Sequence, residues 1–195
     1  MTSILYLRLR SHPKFIMSSN WDRDLYIQAC LFAAKAHRGQ LIPGSDLPYT
    51  IHLNLVSMEI LAALSIESGC DGDLAVQCAL LHDTIEDTDT TYEQIAALFG
   101  NKVADGVAAL SKNPALAKSL QLADSLDRIE RQPIAVWMVK LADRITNLQP
   151  PPPHWDLAKI RRYRDEAIEI HTRLQAASPY LAARLAQKIQ NYRVS

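Results

Sequence analysis

Four ionisable residues fall within six positions of one another: His82, Asp83, Glu86 and Asp87, in the string LLHDTIEDT at 80–88. The residues around them include Ala79, Leu80, Leu81 and Ile85. Burying charge among such neighbours is costly unless the charges pair or bind a metal ion. If the whole string is helical, adjacent His82 and Asp83 project about 100° apart, close enough to hold one ion together. Glu86 then lies one turn after His82 and Asp87 one turn after Asp83, so both carboxylates share that flank. Solvated acids at a helix end would explain Glu86 and Asp87. They would not explain a His-Asp pair directly behind Ala-Leu-Leu, so the string reads as part of a metal site.

One histidine and one aspartate do not complete a coordination sphere. His52 follows Pro48-Tyr49-Thr50-Ile51 at the start of an apolar helical run, and Asp143 is a charge within the run VKLADR at 139–144. A His2Asp2 set drawn from three helices suits Mn2+, Fe2+, Co2+ or Zn2+, because imidazole with carboxylate favours such ions. Taken singly, His52 also reads as a satisfied core histidine and Asp143 as a partner of Lys140 or Arg144. Spacing alone leaves both readings open.

The elements that must position these groups are helical throughout. Apolar residues recur at helical spacing from Trp21 to a stop at Gly39, and again from Ile51 to a stop at Gly69. Asp71 or Asp73 caps the next segment, LAVQCALLHDTIED, which is expected to run as one buried helix because its centre is apolar nearly all round. Thr90 or Thr91 opens YEQIAALFG, with Glu93 placed for a capping box. Helices then follow from about Lys102 to Leu110, over LAKSLQLADSLDRIER, and after Pro133 over IAVWMVKLADRITNL. Pro150 to Pro153 form an extended connector, since each proline removes a donor and restrains its predecessor. Two amphipathic helices close the chain. The fold class is therefore all-α, a bundle of about eight to ten helices.

With 195 residues, 48% of them hydrophobic and 22% charged, the chain can bury a sizeable core without a disulfide or metal staple. Lys+Arg and Asp+Glu are 21 each, a formal net charge of zero that argues against a nucleic-acid coat protein or a polybasic membrane binder. No apolar run is long enough to span a membrane. Cys30, Cys70 and Cys78 make no C-x-x-C pair and no even framework, which fits reduced thiols in a cytoplasmic protein. Residues 1–20 are expected to be an N-terminal extension outside the chemistry. Arg8 and Arg10 interrupt any signal-like run, and Met17 is an alternative start.

PYTIH at 48–52, LLHDTIEDTDTT at 80–91, Phe99-Gly100 and VKLADRITNL at 139–148, in that order, closely resemble the HD-domain hydrolases of the RelA/SpoT group. The resemblance covers roughly residues 22–175. At this length the match is to the stand-alone small alarmone hydrolases, including the metazoan SpoT homologues, with residues 21–195 as one HD hydrolase domain. It implies that His52, His82, Asp83 and Asp143 bind one Mn2+, with other divalent transition metals as alternatives. It also implies that Glu86 and Asp87 orient and deprotonate the attacking water. The implied reaction is hydrolysis of the 3′-diphosphate of (p)ppGpp to pyrophosphate and GDP or GTP. Asn147, Tyr49, Lys118, Lys140, Arg144, Lys159 and Tyr163 fall at or near substrate-side positions. The expected partner is a small nucleotide, with no nucleic acid and no membrane, and the sequence does not fix the oligomeric state.

Two departures qualify the match. Many members carry an Arg-Lys pair between the GQ and PY elements, whereas this chain has Leu41-Ile42-Pro43 after Ala36-His37-Arg38-Gly39-Gln40. Losing those cations weakens the case for guanine and leaves two alternatives: another nucleotide such as NADPH or a nucleoside phosphate, or an idle nucleotide-sensing domain. The proline that usually follows PYxxH is replaced by Leu53, a detail of the helix start. His37 is expected to be structural.

Overall fold

The computed structural model describes residues 20–192. Within them lie ten α-helices: α1 Arg23–Ala36, α2 Thr50–Leu64, α3 Gly72–Leu81, α4 Thr84–Asp87, α5 Tyr92–Phe99, α6 Asn101–Leu110, α7 Lys118–Ile129, α8 Ile134–Asn147, α9 Leu157–Leu174 and α10 Pro179–Asn191. A 3-10 turn, Gln175–Ala177, joins the last two, and the one β-bridge among these residues pairs Leu41 with Pro48. The chain is all-α, as its periodicity requires. The expected N-terminal extension and the alternative start at Met17 lie outside the described residues.

Side-chain caps set half of the ten helix starts. The Asp22 side chain accepts from Asp24 N–H, Asp71 from Leu74 N–H, Asp156 from Lys159 N–H and Ser178 from Leu181 N–H, each satisfying a donor that the first turn leaves unpaired. The capping box of α5 pairs Thr91 with Gln94 rather than with Glu93, because the cap is Thr91 and its third helical residue is Gln94.

Helix α3 forms the centre. Every residue from Leu74 to Leu81 is buried, and the helix packs against α1, α2, α6 and α8. Its own Leu80 and Leu81, Leu53 and Ile60 of α2, and Met138 and Leu141 of α8 are all fully buried. Helix α6 approaches closely because Gly106 has no side chain: a Cβ there would lie 2.8 Å from Cys78 Sγ and 3.0 Å from a Val136 methyl. No described helix is long and apolar enough to cross a membrane.

The expected single helix from 74 to 87 is instead two. Helix α3 ends at Leu81, and the four-residue α4 restarts after Asp83. Two side chains compete for the carbonyls that would continue the ladder. His82 Nδ1 lies 2.9 Å from the Ala79 carbonyl, and the Thr84 hydroxyl donates to the Leu81 carbonyl at 2.7 Å. The break falls at His82 and Asp83, the pair that the sequence reading assigns to a metal site.

Candidate metal centre

His52 enters from the first turn of α2, His82 from the end of α3, Asp83 from the break and Asp143 from the last turn of α8. Residues 30 positions apart thus meet: His52 Nε2 and His82 Nε2 are 3.3 Å apart. Asp83 Oδ2 lies 2.9 Å from His82 Nε2 and 3.5 Å from His52 Nε2. Asp143 Oδ1 lies 3.5 Å from His52 Nε2 and 3.8 Å from His82 Nε2. The pair is close although the helix has broken, so the 100° spacing expected of a continuous helix is not what brings His82 and Asp83 together.

The donor set fits a divalent metal. Donors at the 2.0–2.2 Å bond lengths usual for such ions sit roughly 3–3.5 Å from their neighbours, close to the 2.9–3.8 Å separations here. The ligating atoms of His52, His82 and Asp83 all lie within 4.8 Å of one another. His82 donates from Nδ1 to the Ala79 carbonyl, which leaves Nε2 as the lone-pair nitrogen facing the cluster.

The surroundings aim the carboxylates. The Tyr49 hydroxyl donates to Asp83 Oδ2 at 2.6 Å, and the Asn147 amide donates to Asp143 Oδ1 at 2.5 Å. Lys140 Nζ lies 3.2 Å from Asp143 Oδ2. Burial alone would favour the neutral acids, but His82, His52 and Tyr49 hold Asp83 well below the usual carboxylate range. Lys140, His52 and His82 likewise overcome burial at Asp143. Burial also opposes charge on His52, yet Asp143 and Asp83 outweigh it and push the imidazole up to about 9. His82 is raised for the same reason, chiefly by Asp83. Burial and the Asp83 charge push the Tyr49 phenol far up, so it stays a donor.

Glu86 and Asp87 leave the break in different directions. Both Glu86 oxygens are engaged by Lys112, its backbone N–H donating to Oε2 at 2.7 Å and its Nζ to Oε1 at 2.5 Å. Asp87 Oδ2 accepts from Gln40 Nε2 at 3.4 Å. Burial, then the charges of Asp83 and Glu86, raise the Asp87 carboxyl. Gln40 is held in turn by His37, whose Nδ1 lies 2.7 Å from Gln40 Oε1 and whose ring stacks on Tyr49 at 4.9 Å.

The remaining sequence-predicted residues do not all face the cluster as free donors. Lys140 and Asn147 are engaged by Asp143. Arg144 is buried between α8 and α9, with its guanidinium 4.4 Å from the Tyr163 ring centroid and 3.4 Å from Glu166. Tyr163 packs edge-on against Trp155 at 5.2 Å, and burial raises its phenol to about 12. Lys159 Nζ sits 4.1 Å over the Trp155 ring, and Lys118 is exposed at the start of α7. Sequence reasoning missed Lys112 and Gln40. No spacing rule links Lys112 to Glu86, and Gln40 stood only inside a matched motif.

The chain is similar to known proteins over most of its length. The HD domain model matches residues 29–179. The chain is 35% identical over 174 residues to a GTP pyrophosphokinase of Myxococcus xanthus, covering 84% of this chain but only 22% of that protein. It is 30% identical over 169 residues to the guanosine-3′,5′-bis(diphosphate) 3′-pyrophosphohydrolase MESH1 of Xenopus tropicalis, covering 84% of this chain and 92% of that one. The solved structure of a metazoan orthologue of SpoT that hydrolyses ppGpp superposes with a TM-score of 0.76 at 23% identity, covering 90% of this chain and 99% of the other. The chain therefore belongs to the HD-domain family and, within it, to the family of the MESH1 proteins.

Proposed function

We propose that this protein is a Mn2+-dependent hydrolase of the 3′-diphosphate of (p)ppGpp and related (p)ppNpp nucleotides. The observation that carries the reading is the convergence of His52, His82, Asp83 and Asp143 within 3.8 Å contacts, with two further carboxylates one turn beyond. The names of its relatives support the substrate class.

A bound divalent ion would lower the pKa of a coordinated water and neutralise charge on phosphoryl oxygens. The chain's own groups supply the rest. Tyr49 and Asn147 fix the two ligating carboxylates. Asp87, made more basic than an ordinary carboxylate, accepts the proton of the attacking water, a role suited to a base with a raised pKa. Glu86, anchored through the Lys112 N–H, orients that water. The water oxygen bonds to the phosphorus attached to O3′, the P–O3′ bond breaks with its electron pair going to O3′, and O3′ takes up the proton that the water gave to Asp87, so the products are pyrophosphate and GDP or GTP with a free 3′-hydroxyl.

Residues 21–195 act as one hydrolase domain in this reading, and three free thiols support a cytoplasmic setting. The test is to incubate metal-reconstituted protein with ppGpp, ppApp, GTP and NADPH and to resolve the products for each of several divalent ions. Pyrophosphate from ppGpp, fastest with Mn2+, is expected. Turnover of GTP or NADPH alone would replace the substrate, and binding without turnover of any nucleotide would make the domain a sensor.

A further inference from the structure

We propose that Lys112 is a substrate-binding residue that holds the 3′-diphosphate, the group that leaves as pyrophosphate. This rests on the hydrolase reading above and deepens it. Lys112 lies just beyond the C-terminus of α6, in the loop that leads to α7. Its ammonium is paired with Glu86 Oε1 at 2.5 Å, while its backbone N–H separately anchors Glu86 Oε2 at 2.7 Å. The two contacts are independent. The side chain can therefore leave Glu86 while the backbone keeps the carboxylate in place.

Three observations point the ammonium at a phosphate. First, the Lys112 side chain is 55% exposed, and an ion pair whose ammonium stands in water is weak, so a diphosphate with several negative charges competes with the single Glu86 carboxylate. Secondly, the charges of Asp143 and Asp83 reach the ammonium, which places it in the field of the metal-ligand cluster. Thirdly, two of the other candidate cations are already engaged, Lys140 by Asp143 and Arg144 by Tyr163 and Glu166. The rim at 41–43 is Leu-Ile-Pro and offers no cation. Lys112 answers where the charge missing from that rim is made up. Its exchange from Glu86 to substrate also frees one Glu86 oxygen for the water at the moment the diphosphate arrives.

Inorganic pyrophosphate is the probe, titrated calorimetrically into metal-loaded wild type, Lys112→Gln, Lys112→Arg and Glu86→Gln/Lys112→Gln against Glu86→Gln. Lys112→Gln is expected to weaken pyrophosphate by about ten- to a hundredfold, the range of one charge-assisted hydrogen bond, and Lys112→Arg by no more than about threefold. Because the lysine contacts the phosphate itself, the loss should persist in the Glu86→Gln background. Metal content and Tm measured on each variant separate this from misfolding, and Lys112→Met provides a second neutral side chain. Unchanged pyrophosphate affinity in both neutral variants would overturn the proposal, as would a loss that vanishes once Glu86 is Gln. The titration needs no turnover. Inactivity of the wild type on ppGpp would therefore sink the hydrolase reading while leaving the pyrophosphate site to stand or fall separately.

Discussion

Removing and restoring the metal across a pH series tests the centre most directly. Without metal, Asp143 and Asp83 hold the His52 imidazole protonated up to about 9, against an ordinary value of 6.5. The raised value means that this pairing contributes stability that is fully present below pH 6.5 and is lost as pH rises through about 9. A metal must displace that proton, so its apparent affinity should rise close to tenfold per pH unit between 6.5 and 8.5. The ion binds only the folded protein, so its stabilisation grows by roughly 1.4 kcal/mol per pH unit at saturating metal. For a chain of this size, 1 kcal/mol is about 2–4 °C in Tm, giving about 3–6 °C per unit. His82 is shifted in the same direction and can only steepen the slope. Asp83 and Asp143, held low, stay ionised and add nothing. The assay is differential scanning calorimetry of chelator-stripped and Mn2+-reloaded protein at pH 6.5, 7.5 and 8.5. The difference in Tm should widen with pH, and His52→Ala should abolish it. A difference that is flat or narrows with pH would refute the four-ligand cluster.

Glu86→Gln and Asp87→Asn should each retain stoichiometric metal yet lower kcat by about 10²- to 10⁴-fold; wild-type turnover in the double variant would reduce these acids to a solvated helix end. Tyr49→Phe removes the 2.6 Å hydrogen bond to Asp83 and should weaken metal binding about 10- to 100-fold, read by competition with a chelating dye. Unaltered affinity would show that Asp83 needs no help. The apolar rim, where Leu41 is half exposed, should permit ppApp to be hydrolysed nearly as efficiently as ppGpp. Leu41→Arg with Ile42→Lys should shift kcat/KM toward the guanine substrate, and strict guanine selectivity in the unmodified protein would contradict the relaxed pocket.

The helices were legible in the sequence because caps, stops and periodic apolar faces act over a few residues. Asp71, the α5 start at Thr91 and Gly39 mark boundaries where local rules place them. The HD string also stood out in the sequence, since acids and histidine beside Ala-Leu-Leu are costly without a partner. What the string could not announce was its own break, which depends on the Thr84 hydroxyl and the His82 ring winning two carbonyls from the helix. Nor could spacing bring together His52, the His82-Asp83 pair and Asp143, or decide which cations remain free. Those outcomes belong to packing. The burial of α3 against α2 and α8 sets His52 and Asp143 around His82, and the docking of α6 on α4 hands Glu86 to Lys112. Local chemistry wrote the elements, and the tertiary structure chose which of their charges face one another, because charges distant in sequence meet only where the core puts their helices.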